Sequence, residues 1–208
     1  MLYVCRRKRC SCCQATFTLP TTNKSICHLT YTVNANGTVQ IKQQLVPGKE
    51  LPEIPAVGMM FTLDQSYQHL SWYGKGPHES YSDKKLSAKL AIHEGTVEEQ
   101  FVPYLKPQEC GNKTDVRWAM LYNKKGIGLM MKGLPVVEFS ALSYTPKQLE
   151  EHDHAYKLPK SDHVCIRIND KQMGVGGDDS WGAITHPEFT LYADRTYTVM
   201  YELKGVRK

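Results

Sequence analysis

The chain has 208 residues, 41% hydrophobic and 23% charged, which sits inside the ordinary globular range and excludes disorder as a description of the whole. Much of the net charge of +5 lies at the ends, in Arg6, Arg7, Lys8 and Arg9 and in Lys204, Arg207 and Lys208, so the body is close to neutral and offers no basic surface for nucleic acid. No apolar run is long enough to cross a bilayer, so no membrane partner is expected.

One domain suffices for this length. Residues 1–26 carry charge and threonine without a clean period and are read as a leader, disordered or non-native; residues 27–208 are read as a single β-sandwich domain. The start, MLYVCRRKRC, places its charges after a short apolar part, the reverse of a secretory signal. A cytoplasmic location is expected, or a periplasmic one if a longer form carries a signal. Cys5, Cys10, Cys12 and Cys13 crowd the leader, but Cys12 and Cys13 are adjacent and no paired C-x-x-C spacing follows, so no metal is assigned. Cys27, Cys110 and Cys165 are read as reduced thiols.

From Cys27 the pattern becomes two-fold. His28 to Val33 and Thr38 to Val46 read as a hairpin about the turn Asn34 to Gly37, and the proline-rich stretch 47–55 reads as a loop. Val57 to Leu63 and Gln68 to Tyr73 are further strands, followed by a breaker-rich segment, WYGKGPHESYSDKK. Trp72 closes a strand and is expected in the core. Glu79, Tyr81 and Asp83 are candidate rim or structural residues. Lys84 to Val97 reads as a short helix or an irregular excursion. Asp115 to Tyr122 and Ile127 to Lys132 form a second hairpin about NKKG, and Val136 to Leu142 is one more strand.

The best helical candidate is Thr145 to Leu158, with Thr145 as cap and Pro146 at the first position. His152 and His154 stand two apart and cannot chelate one metal from a helix. Val164 to Ile168 is a strand with Cys165 and Arg167 outward, and Glu188 to Leu191 and Thr196 to Leu203 are closing strands. Ten or more strands with one helix imply an all-β fold, a large antiparallel sandwich of two sheets.

The most distinctive stretch is Met173 to Ile184, MGVGGDDSWGAI. Gly176 and Gly177 permit backbone angles closed to other residues, and Asp178, Asp179 and Ser180 can bond nearby main-chain groups and hold a turn. Trp181 then either packs back on the core or stands out as a flat platform for a sugar ring. Phosphate-loop, dinucleotide and G-x-S-x-G signatures are absent, and no cofactor is expected in this chain. Asp178 and Asp179, as neighbours, diverge and do not make the facing carboxylate pair that glycoside hydrolysis needs. No catalytic residue is assigned.

MGVGGDDSWG, preceded in order by WYGKGPHESYSD and HDHAYKL, closely resembles the carboxy-terminal domain, also called domain five or the small chain, of glycoside hydrolase family 2 beta-galactosidases. The resemblance covers roughly residues 27 to 205. It implies a galactose mutarotase-like supersandwich that packs against a catalytic barrel, or against a large subunit carrying that barrel, in enzymes that hydrolyse terminal beta-D-galactosides. The catalytic carboxylates and metal ligands would lie in that partner, so the isolated chain is expected to be inactive. Trp181 would take the place of the tryptophan that lines the active-site mouth and contacts the galactoside, with Gly176, Gly177, Asp178, Asp179 and Ser180 supporting it. Trp72, Gly74, Gly76, Pro77, Glu79, Tyr81 and Asp83 match W-x-G-x-G-P-x-E-x-Y-x-D, while Pro107, Glu109 and Gly111 match P-x-E-x-G. His154 matches a family histidine. Cys110, Lys84 and Ala56 depart from the usual asparagine, arginine and arginine. Two other readings stay open, a stand-alone carbohydrate-binding or aldose-epimerase-like sandwich and a structural assembly domain.

Overall fold

The computed structural model describes residues 2–7, 10–159, 161–179 and 181–208, with side chains from residue 11 onward. Eleven strands follow in chain order: β1 (Leu2–Arg7), β2 (Cys10–Thr18), β3 (Ile26–Asn34), β4 (Val39–Val46), β5 (Ala56–Asp64), β6 (His69–Gly76), β7 (Lys89–Thr96), β8 (Lys113–Tyr122), β9 (Ile127–Leu142), β10 (His163–Gln172) and β11 (Tyr197–Arg207). Among the described residues there is one α-helix, α1 (Pro146–Glu150), between β9 and β10. Every pairing is antiparallel.

The main path runs β1-β2-β3-β4-β11-β9-β8-β6-β7, and β10 branches from β9 and carries β5 on its far side. β9 makes the branch possible. Its first part pairs with β11 through Gly133, its last part pairs with β10 from Glu138, and Pro135 stands between them, where a missing N–H interrupts neither ladder. Val164, Ile166 and Ile168 of β10 share one buried cluster with Ile41 of β4, Leu70 and Trp72 of β6, and Val199 and Tyr201 of β11. Met59, Phe61 and Leu63 of β5 pack against that cluster. The β5–β10 pair therefore lies over the main path as a second layer, and the fold is the all-β antiparallel sandwich expected from the strand count.

Alternation explains which faces go inward. In β11, Tyr197, Val199 and Tyr201 are buried, and in β4, Ile41, Gln43 and Leu45 are, each set at the two-residue period of a strand. In β9, Val137, Phe139 and Ala141 enter the main core. Glu138, Ser140 and Leu142 are turned to the opposite face, which is also buried. On that face Glu138 accepts from Asn112, and Leu142 clusters with Cys110 and Leu149, against which Phe101, Val102 and Tyr104 pack.

Several sequence expectations change. Lys89–Thr96 is neither helix nor irregular; it is the edge strand β7, paired to β6, whose Leu90 and Ile92 remain exposed and so gave no buried alternation. The helix expected over Thr145 to Leu158 shrinks to α1. Its cap is as read, with Thr145 Oγ1 accepting from Gln148 N and Gln148 Oε1 accepting from Thr145 N, but only Leu149 is buried to hold it. Cys165 is buried rather than outward, because β10 is covered on both faces. The stretch from Glu188 forms no strand; a short 3-10 turn at Pro187–Phe189 takes its place. Within the stretch read as a leader, Cys10–Thr18 pairs with all of β3.

Candidate functional site

The loop after β10 is tied down at its base before it reaches Trp181. Met173 N donates to Pro55 O at 2.9 Å and Gly174 N to Phe189 O at 2.9 Å, while Thr185 Oγ1 donates to Gly174 O at 2.8 Å. These bonds close the neck of the loop. Gly174 is required here: a Cβ at this position would stand 2.4 Å from an Asp83 carboxylate oxygen and 2.9 Å from Phe189 Cβ. Asp83 Oδ2 also accepts from Gly176 N at 2.8 Å. The breaker-rich segment and the glycine-aspartate loop, 93 positions apart, thus form one unit.

Gly176 and Gly177 have φ of 66° and 99°, the left-handed region that favours glycine, and they turn the chain outward. Asp179 Oδ1 accepts from Trp181 N at 2.8 Å and from Ala183 N at 3.2 Å, so the carboxylate sits inside the turn and fixes its tip. Asp178 points to a different partner and pairs with the His186 imidazole. His186 is exposed, and its pKa is raised by the bond to Asp178, assisted by Glu188 and Asp83. His186 was not singled out from the sequence, where an eight-residue separation across a loop carries no recognisable spacing. Ser180 lies outside the described residues.

Trp181 itself is 94% exposed. The ring therefore does not pack back on the core. Ile184 beside it is also exposed, and the pair gives the loop an apolar tip carried on a hydrogen-bonded base.

The other candidate residues lie away from the tip of this loop. Trp72 is buried, with Nε1 donating to Lys75 O at 3.0 Å. Glu79 is buried and accepts from Lys84 Nζ at 2.8 Å, Gly111 N at 2.9 Å and the Tyr104 hydroxyl. Burial works to raise the Glu79 pKa, but the donors from Lys84, Tyr104 and Gly111 together outweigh it and hold it below the usual carboxylate range. Lys84 therefore keeps an ion pair with Glu79 through a single ammonium, without the two-pronged geometry of an arginine. Tyr81 is buried, and burial together with Glu109 and Glu79 pushes its hydroxyl pKa well up. Lys113 lies nearby, its ammonium over the Trp72 ring and its pKa pushed down by burial to about 8. Glu109 pairs with Arg167, joining the P-x-E-x-G segment to β10.

His154 stacks on Tyr156 with ring centroids 5.3 Å apart. Its described contacts do not include the Trp181 loop. The structure thus joins Asp83 to Gly176, Asp178, Asp179 and Trp181, and leaves Glu79, Tyr81 and His154 in other settings. Cys12, Cys13, Cys27, Cys110 and Cys165 are free thiols, and among the described residues no group of three or more His, Cys, Asp or Glu is arranged to hold a metal ion. Among the same residues, no helix is long and apolar enough to cross a membrane.

Comparison with solved structures places the fold. A GalM/aldose epimerase homologue from C. elegans superposes with a TM-score of 0.50 at 13% identity, covering 99% of this chain and 68% of that one. A putative aldose 1-epimerase from Escherichia coli K12 gives 0.50 at 11% identity, covering 100% and 69%. At such identities the likeness concerns the galactose mutarotase-like fold alone. Sequence relatives are nearer. The beta-galactosidase of Priestia megaterium is 58% identical over 178 residues, covering 86% of this chain and 17% of that protein. Those of Halalkalibacterium halodurans and Lactobacillus delbrueckii subsp. bulgaricus are 35% and 38% identical over 85% and 86% of this chain, and each is covered for 18% of its length. The chain thus spans under a fifth of the curated relatives it matches. The profile described as "Beta galactosidase small chain" matches residues 4–203, and the chain belongs to that family.

Proposed function

We propose that this chain is a non-catalytic portion of a beta-galactosidase, and that Trp181 contributes a substrate-contacting surface to an active site whose reacting groups lie in a catalytic barrel or large subunit. The observation that carries the reading is a tryptophan almost wholly exposed on a loop held by Asp83 and Asp179. Leaving so large a ring in water sacrifices about 2 kcal/mol of burial, which an apolar ligand face or a docking partner recovers. The rigid base makes this recovery efficient, because little loop entropy remains to be lost on contact.

Asp178 and Asp179 have duties within the loop, one paired to His186 and the other capping the turn, so they support the platform and attack nothing. The proposed partner carries the carboxylates and the metal ligands implied by the family resemblance, and the substrate is a terminal beta-D-galactoside. No nucleic acid and no membrane enters the account.

The test uses the Priestia megaterium relative. The 208-residue chain alone should not hydrolyse o-nitrophenyl galactoside. A hybrid in which it replaces the corresponding segment of that beta-galactosidase should hydrolyse it. A folded hybrid without activity, or turnover by the purified chain alone, would contradict the proposal.

A further inference from the structure

Beside the neck of the Trp181 loop, a cleft of about 560 Å³ opens between β8, β9 and β10 on one side and the returning segment from Pro187 to Tyr192 on the other. Its volume falls in the range of small-molecule sites. Glu138 of β9 lines it although only 9% exposed, its carboxylate accepting from the buried Asn112 Nδ2 at 3.0 Å. A carboxylate this deep is costly to ionise without partners, and burial pushes its pKa up to about 7. Around it, Lys85, Lys171 and Arg195 line the same cleft as Asp115, Asp170 and Glu188, so neither sign of charge prevails.

Two further features mark the cleft as more than a surface dent. Asp115 holds φ of 54°, a left-handed conformation uncommon for a residue other than glycine, where the β8–β9 register breaks between Lys113 and Val116. Phe189 and Tyr192 are the aromatic residues among those that line it, Tyr192 being 37% exposed.

From this geometry we infer that the cleft binds a saccharide, an uncharged hydroxylated ring that lies against Phe189 and Tyr192 and donates a hydroxyl to Glu138. A phosphorylated or strongly cationic ligand fits less well, because each would meet like charge on one side. Carbohydrates combine apolar C–H faces with many hydroxyl donors, and the lining offers both aromatic residues and carboxylate acceptors. The inference does not rest on the reading of Trp181.

The experiment is a titration of the uniformly ¹⁵N-labelled chain with D-galactose and with D-glucose to about 100 mM, a range that reaches the weak affinities of single sugars. The amides of Thr114, Glu138, Asp170, Thr190 and Tyr192 should shift together and saturate with at least one of the two. At about pH 8, above the Glu138 pKa of about 7, Glu138→Gln, which keeps the shape and an acceptor for Asn112, should weaken binding roughly tenfold, as expected for loss of an ionised acceptor. Trp181→Ala should leave the cleft titration unchanged, so a failure of the tryptophan proposal is read separately. The absence of a saturating response at the cleft amides, shifts confined to the Trp181 loop, or an unaltered titration in folded Glu138→Gln would each overturn the inference.

Discussion

At Asp83 a single carboxylate connects two segments whose relation is invisible in the linear sequence. It accepts from Gly176 N and occupies the space that a side chain at position 174 would need. Asp83→Ala should therefore release the Trp181 loop at its neck without touching Trp181. The expected outcome is faster amide exchange at Gly176 and a loss of about 1–3 kcal/mol in urea unfolding, the range for a hydrogen bond to a charged acceptor. Unchanged exchange at Gly176 would show that the other neck bonds suffice. The glycines and Asp179 were legible in advance, because turn chemistry is local and the run G-G-D-D admits few alternatives. The exposure of Trp181 was not, since the same loop with a different neck would fold the ring inward. Nor was the Asp178–His186 pair, which depends on the loop closing.

Among the elements, hairpins were the most readable, because β3–β4 and β8–β9 announce themselves by alternation around N-x-x-G and N-K-K-G turns. Strand β7 lies at the sheet edge with Leu90 and Ile92 exposed, and the alternate positions Ala91, His93 and Gly95 carry too little apolar character to announce a buried face. The two pieces of β9 read as separate because Pro135 interrupts the run, yet the strand continues through it by changing partners. The buried face bearing Glu138 has a consequence for stability against pH. Its folded pKa of about 7 lies above the ordinary carboxylate value, so the folded state holds the proton more tightly. The contribution is therefore fully present below the unfolded pKa and is lost as pH rises through about 7. The groups acting on Glu138 besides burial are Asn112, the Gln172 main chain, Lys85 and Asp115. Compared with Glu138→Gln, the natural chain should lose urea resistance between about pH 5 and about pH 8, and identical slopes for the two proteins would contradict the assignment.

For the molecule as a whole, the comparison of lengths matters as much as the fold. The chain covers 17% of the Priestia megaterium relative while matching the small-chain profile over residues 4–203. Leu86, Leu105, Trp181 and Ile184 are each more than four-fifths exposed, so apolar side chains are available to a larger assembly. Fold class could be inferred from strand count, and family from three motifs in order. A larger partner was expected only through that resemblance, because no contact to it is encoded in a local pattern.

The most direct test of the central claim is the effect of Trp181→Ala on kcat and KM for o-nitrophenyl galactoside in the active hybrid enzyme. The account predicts a correctly assembled enzyme whose KM rises most, with kcat/KM falling by roughly 2- to 30-fold, corresponding to about 0.5–2 kcal/mol of lost aromatic contact. Unchanged kinetics in an assembled hybrid would contradict it and leave Trp181 without a role at the substrate.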